Sequence, residues 1–469
     1  MGAVLVGAGL WVASAPSSSQ PAVATTGSSP GGPVPVSQAS TSGRGVTGHV
    51  INVVFPVVSL NSLAGKEGFA QDAEYGEQTK AILLFVKAVN KSGGINGRSI
   101  NPIITNFDPA SETAMRALCK TWTEGSPAAF AVLDGVGDWT GDNQLCITQE
   151  GQTPMIAQWT TVTDWTNKGS PYLWWTGPDQ ATVLQAVVNW GLSSGLLEGK
   201  KVAVVAGDRA SDQLALKNYL LPDLSRAGVT PVVETIASDP SDTATTDSEA
   251  PLVVQQLRSA GITSVIPLIP FNVFYPYLQA ETDQQYFPRL LLSDYESSIE
   301  SALGLLPVPY AAALDGQDGL TTETLAGIDD DRPASQGGYD PAVRSCWVIW
   351  HRAYPQVPPG NLSDFIEEQG PVQGWCQAIR LFATAARDAG PDLNRRTFVT
   401  ALSRIRNFPG TNTPILSYGP NKRYGPTEYQ VVRLHVNAPP STQCKMPKDG
   451  IPQFTCWVNV LPFAPLPTG

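Results

Sequence analysis

The stretch EYGEQTKAILLFVKAVNKSGGINGRSINPIITNFD, residues Glu74–Asp108, decides the fold. Its first half predicts an amphipathic helix, because Ile82, Phe85, Val86 and Val89 recur at i, i+3, i+4 and i+7, one face of a 3.6-residue period. Gly93 and Gly94 end that helix, since glycine accepts the left-handed backbone of a helix exit. Asn96-Gly97 supplies a tight turn. Ser99–Phe107 then reads as a strand, with Ile100, Ile103 and Ile104 as its apolar content, and ends on Asp108. Upstream, Val50–Val54 reads as a strand closed by Pro56. Strand, long loop, helix, turn and strand make a βαβ unit, which implies a parallel sheet.

The pattern continues outward. Ala110–Glu124 predicts a helix capped by Ser111 with Ala114, Leu118 and Trp122 inward, followed by strands at Ala128–Leu133 and Pro154–Ala157. Tyr172–Pro178 looks like a crossover, after which the alternation starts again. Strands are expected at Lys201–Gly207, Pro231–Ile236, Ser264–Ile269 and Arg289–Leu292, with helices at Asp179–Leu192, Ser211–Ala227, Pro251–Ala260 and Val273–Gln284. Residues 238–250 read as an acidic flexible loop, and Asp315–Thr321 as a crossing back. Helices at Asp340–Tyr354, Gly374–Ala389 and Asn394–Ser403 and β-like runs at Tyr429–Val436 and Phe454–Leu461 complete the chain.

Composition narrows the function. With 469 residues, 42% hydrophobic and 15% charged, the chain has a globular balance and room for two or three domains. A net charge of −11 opposes nucleic-acid binding, which needs a basic face. Residues 1–15 form a signal-like apolar segment ending Ala13-Ser14-Ala15, with Ala22-Val23-Ala24 as a second small-residue cleavage pattern. No lipobox cysteine follows, so no lipid anchor is expected, and no run is long and apolar enough for a spanning helix. Residues 16–47 are a Pro/Ser/Gly/Thr linker with the composition of a disordered tether.

Six cysteines, at 119, 146, 346, 376, 444 and 456, lack any CxxC spacing and accompany three histidines, which disfavours zinc. They allow 15 pairings. Nearest-neighbour bridges, Cys119–Cys146, Cys346–Cys376 and Cys444–Cys456, are the expectation, and bridges imply an oxidising compartment. Catalytic signatures are missing: there is no GxSxG elbow, P-loop, HExxH or EF-hand loop, and His49, His351 and His435 are far apart in sequence. No cofactor and no metal are expected.

The string AVNKSGGINGRSI (residues 88–100) resembles the signature of type I periplasmic solute-binding proteins, in the Leu/Ile/Val-binding branch of ABC-importer receptors. GWCQAIRLFATAARDAG and RRTFVTALSRIRNFPG are similar to that family's closing helical pair, and ILSYGPNKRYGPTEYQVVRL to its final strand region. The resemblance covers roughly residues 48–436 and leaves 437–453 as a Pro-rich excursion. It implies an α/β fold of two Rossmann-like lobes with parallel sheets joined by a multi-strand hinge. The expected division is residues 48–176 plus 320–425 for lobe one, and 177–319 plus 426–469 for lobe two with a stapled C-terminal extension. It also implies a disulfide between Cys119 and Cys146.

In such sheets ligands sit at the carboxyl ends of strands, and two facing sheets form a cleft. The strand-end loops are 59–62, 135–140 and 158–161 in lobe one, and 208–212, 271–272 and 294–296 in lobe two. The resemblance implies that Thr160, Thr161 and the backbone around Trp139 hold a carboxylate, and that Tyr295 with Asp294 or Glu296 provides an aromatic wall and an acid for an ammonium. Here the loop after the third strand carries Asp138 and Trp139 instead of a serine-rich run, and the first lobe-two loop carries Arg209, which suits an anionic group. Trp139 and Trp159 fall on strand-end loops, where indole rings suit a flat or amphipathic ligand; Phe271 and Asn272 occupy another loop. The expected protein is a monomeric, extracytoplasmic receptor for a small polar or amphipathic solute, amino-acid-like or aromatic, with an ABC permease as partner and no membrane contact of its own. A stand-alone ligand- or protein-sensing receptor is the alternative within the binding class. An enzyme using Asp138 or Asp294 as acid/base is the alternative outside it.

Overall fold

The computed structural model describes residues 43–58, 78–107, 111–134, 143–158, 162–240, 242–295, 313–323, 341–355, 370–436 and 455–467. A first sheet is built from β1 (Val50–Val58), β2 (Ser99–Phe107), β3 (Ala131–Asp134), β4 (Met155–Ala157) and β5 (Leu173–Trp175), in the order β2-β1-β3-β4-β5, all parallel. The opening unit has the predicted form. Helix α1 (Gln78–Lys91) buries Ile82, Phe85 and Val86, and the exit carries Gly93 and Gly94 at φ 98° and 66°. Strand β1 does not stop at Pro56 but runs to Val58. Its pairing with β3 covers Val53 and Val54 while β2 stays in register to Phe107, so Pro56, which has no N–H to give, stands beyond the stretch paired on the β3 side.

The sheet is covered on both faces, as parallel sheets require. Ile51, Val53, Phe55 and Val57 of β1 point into a core with α1 and three later helices: α10 (Pro341–Ala353), α11 (Gly370–Asp388) and α12 (Arg395–Leu402). Val54 points the other way, into a core with α2 (Glu112–Glu124) and the helical segment α3 (Asn143–Leu145), which continues as a π-helical turn, Cys146–Glu150. Ser111 caps α2 as expected; the buried face is Met115, Cys119 and Trp122, with Leu118 half-buried against the same core and Ala114 exposed. The disulfide fixes that rotation: Cys119 bonds Cys146, so residue 119 must face the sheet. Cys346 bonds Cys376, joining α10 to α11. The expected Cys444–Cys456 pair lies outside the described residues.

A second sheet has the order β14-β13-β10-β9-β8-β6-β7. Its strands are β6 (Val202–Gly207), β7 (Val232–Ile236), β8 (Ser264–Leu268), β9 (Arg289–Ser293), β10 (Asp318–Thr321), β13 (Glu428–Val436) and β14 (Thr455–Pro465). β6 to β10 pair in parallel, whereas β13 and β14 add antiparallel strands at one edge. A small ribbon, β11 (Phe408–Pro409) and β12 (Ile415–Leu416), stands apart. One face of the second sheet carries α8 (Thr243–Ala260) and α9 (Phe271–Asp283). The other carries α5 (Gln180–Ser193) and the run α6 (Ala210–Ala215), π-turn Leu216–Leu220 and α7 (Leu221–Arg226).

Two sequence readings are corrected here. Residues 243–250 are not a flexible loop: Asp242 caps α8, its carboxylate accepting from Thr245 N, and the helix runs through Pro251. Burial of Thr246, Ala250, Val253, Val254 and Leu257 on one face outweighs the backbone hydrogen bond that proline removes. Asp315–Thr321 does not cross back to the first lobe; β10 pairs with β9 inside the second sheet. The chain passes from the first sheet to the second between β5 and α5, returns between β10 and α10, and passes again after Tyr424, which extends the first sheet beside Trp175 before β13 begins.

Candidate functional site

In lobe one, Asp138, Trp139, Trp159, Thr160 and Thr161 lie outside the described residues. The described flank of that rim is Gln158 and α4 (Thr163–Lys168). Gln158 packs against the backbone of α11, where a Cβ on Gly374 would stand 2.3 Å from Gln158 Oε1.

In lobe two the rim is built from side chains that hold one another. β6 ends at Gly207, and Arg209 follows on the loop that enters α6. Its guanidinium forks onto Asp212, with Nε 3.0 Å from Oδ2 and Nη2 3.1 Å from Oδ1. The Asp212 carboxylate is fully buried and also accepts from Tyr295 Oη at 2.5 Å. A Cβ on Gly207 would stand 2.2 Å from Asp212 Oδ2, so this position has room for glycine alone while the carboxylate stays in place. Ser238 N and Oγ both donate to Asp208 Oδ1, at 2.9 and 2.7 Å, and Arg209 N donates to Ser238 Oγ. Asn272 is buried and gives its amide to Ser238 O at 3.2 Å. Phe271 begins α9; its side chain is outside the description.

Arg209, Asn272 and Tyr295 thus meet in one network through Asp212 and Ser238, neither of which was singled out from sequence. Asp294 is turned elsewhere. Its Oδ2 accepts from Thr322 N and Oγ1, both at 2.7 Å, at the segment that leaves lobe two. Burial raises its pKa, and hydrogen bonds from Thr321 and Thr322 oppose that rise. The group therefore serves the hinge backbone.

The hinge carries a second polar cluster. Asp179, the N-cap of α5, accepts from Ala181 N at 3.1 Å, from Thr182 Oγ1 at 3.1 Å and from Thr163 Oγ1 of lobe one. Burial raises the Asp179 carboxyl, and those donors pull it back. Thr182 Oγ1 is also 3.2 Å from the Tyr424 hydroxyl, which ties the first crossing to the last. Lys422 Nζ donates to the carbonyls of Ser417, Tyr424, Gly425 and Pro426 at 2.7–3.1 Å and lies 4.2 Å from the Tyr424 ring centroid. Burial lowers its pKa to about 7. Among the described residues, no group of three or more His, Cys, Asp or Glu is placed to hold a metal ion, and no helix is long and apolar enough to cross a membrane. A sequence signal for the hinge did exist: Pro178-Asp179 directly before an apolar helical run is a cap.

The comparisons agree with this architecture. Residues 69–303 match the family model described as periplasmic binding protein. No curated protein matches the chain in sequence. Among solved structures, a fatty acid ABC transporter substrate-binding protein from Thermomonospora curvata is similar at 18% identity and TM-score 0.62, over 90% of this chain and 94% of that one. A solute-binding protein from R. palustris in complex with 4-hydroxybenzoate is similar at 14% identity and TM-score 0.62, over 89% and 98%. A leucine-binding protein from Thermotoga maritima is similar at 13% identity and TM-score 0.59, over 82% and 95%. Two mostly parallel α/β sheets, a three-pass hinge and a family match over half its length say the same thing: the chain belongs to the periplasmic binding protein family.

Proposed function

We propose that this protein is an extracytoplasmic receptor that closes its two lobes around a small monocarboxylate with an aromatic or amphipathic body and hands it to an ABC permease. The observation that carries the reading is Arg209 at the carboxyl end of β6. Its guanidinium is oriented by the buried Asp212 in a side chain 12% exposed, which sets a fixed positive group at the strand end where an anionic solute group would be met. The ligands named for the similar structures, 4-hydroxybenzoate, leucine and a fatty acid, share a carboxylate. Thr160, Thr161, Trp159, Trp139 and Asp138 are the lobe-one candidates, and residues 48–176 plus 320–425 and 177–319 plus 426–469 the lobes that would close, with β10 kept whole in the second. A solute touching both lobes binds the closed state better and shifts the hinge equilibrium toward it.

The test is a thermal-shift and calorimetric panel of 4-hydroxybenzoate, leucine and octanoate against the folded protein. A ligand at 100 times its dissociation constant adds about 2.7 kcal/mol of stability, enough to move the melting point visibly. Binding that survives both Arg209→Gln and Trp159→Ala would refute this placement of the site. Turnover of a bound carboxylate would instead favour the enzyme reading.

A further inference from the structure

A hinged receptor's affinity depends on what its lobes do to each other as well as on what the solute touches. Outside the strand-end rim, a side-chain contact at the start of α4 joins the lobes directly. Asp164 lies in α4 of lobe one, three residues past the strand-end loop 158–161. Its Oδ2 accepts from Tyr219 Oη at 2.9 Å and from Asn218 Nδ2 at 3.4 Å, and both donors belong to lobe two. Next to it, Thr163 donates to Asp179 at the first hinge crossing and accepts from Ala181 N at 3.2 Å. The start of α4 is therefore fastened to lobe two at two adjacent residues.

The lobe-two side is shaped for this. Asn218 and Tyr219 fall within the π-helical turn Leu216–Leu220, between α6 and α7. A π-turn carries one residue more than an α-turn and rotates the side chains it holds; such turns are costly and gather at working positions. Leu216 and Leu220 on its inner side are buried, while Asn218 and Tyr219 face out toward Asp164. Were Asp164 merely a helix-start charge, its carboxylate would favour the backbone of its own first turn.

We infer that Asp164 and Tyr219 are a positioning pair: their hydrogen bond holds the interlobe angle seen here. The inference rests on the reading of this protein as a two-lobed receptor that opens and closes. When the lobes hold the angle of this structure, Asp164 meets Tyr219. When the lobes part, both groups return to water. A hydrogen bond to a charged acceptor, partly exposed, corresponds to about a tenfold bias between the two states.

The experiment needs no solute. Nitroxide labels at Lys87→Cys on α1 and Leu252→Cys on α8, both exposed, report the distance between lobes by pulsed electron resonance in the oxidised full chain. Wild type is expected to populate the distance of this structure. Tyr219→Phe should deplete that population about tenfold, Asp164→Ala, which also releases Asn218, should do at least as much, and the double variant should do no more than Asp164→Ala alone. The melting point should stay within a few degrees of wild type throughout, which separates a positioning role from a structural one. An unchanged distance distribution in Tyr219→Phe, or single effects that simply add, would overturn the pair. A failed ligand panel leaves this readout intact, and a carboxylate that binds wild type and Tyr219→Phe equally would sink the pair while sparing the receptor.

Discussion

Removing the Cys119–Cys146 bridge is the perturbation whose size can be worked out most directly. Both cysteines are buried, at 0% and 1% exposure, and they join α2 to the π-turn after α3 across 27 residues of chain. In the chain-entropy model a closed loop of that length confers about 3.6 kcal/mol by restricting the unfolded chain. The surface pairs between the same helices, Arg116–Glu150 and Lys120–Glu150, are solvent-exposed and do not substitute for it. Replacing both cysteines by alanine avoids burying an unpaired hydroxyl and leaves a small void, so the expected total loss is about 3–5 kcal/mol. Urea denaturation followed by fluorescence is the assay, with wild type and the double variant measured under the same oxidising buffer. A loss below about 1 kcal/mol with an unchanged denaturant slope would refute the reasoning, because the loop-closure contribution would then be absent.

Three further perturbations test other parts of the fold. Glu281 is fully buried on α9 with Tyr277 as the polar group facing it; burial holds its carboxyl well above the ordinary range. The folded state therefore binds a proton that the unfolded state releases above about pH 4.3, and stability falls as pH rises from there toward the raised value. Glu281→Gln should become more stable relative to wild type between pH 5 and pH 8 in urea melts; a constant difference would contradict this. Gly207→Ala places a Cβ against Asp212 Oδ2 and Ser238 Oγ, so it should cost about 1–3 kcal/mol and weaken binding of whichever carboxylate the ligand panel identifies. Arg395 reaches from α12 to the carbonyls of Ala129, Gly151 and Gln152, more than 240 residues away. Arg395→Met should cost about 2–4 kcal/mol by orphaning them, read by calorimetric melting; a neutral outcome would mean water replaces the guanidinium.

Much of the architecture is written locally. The α1 periodicity, the Gly93-Gly94 exit and the Asn96-Gly97 turn each depend on neighbours within a few residues, and such signals survive without tertiary context. The family string rides on the same segment. Where a local signal misled, it was Pro251, which argued for a helix start and left 238–250 as a loop. Packing of Ala250 and Val254 against the second sheet favoured the longer helix. The α2 rotation was likewise legible only once Cys119 met Cys146.

Sequence by itself determined two α/β halves and a crossover over Tyr172–Pro178. Tertiary structure alone decided what the polar side chains meet. Asp212 and Tyr295 are 83 residues apart, Asp294 and Thr322 are 28 apart, and Asp164 and Tyr219 are 55 apart. Periodicity records which face of an element is apolar. It carries no record of which distant donor a carboxylate will meet, because that partner is set by how whole sheets and helices dock.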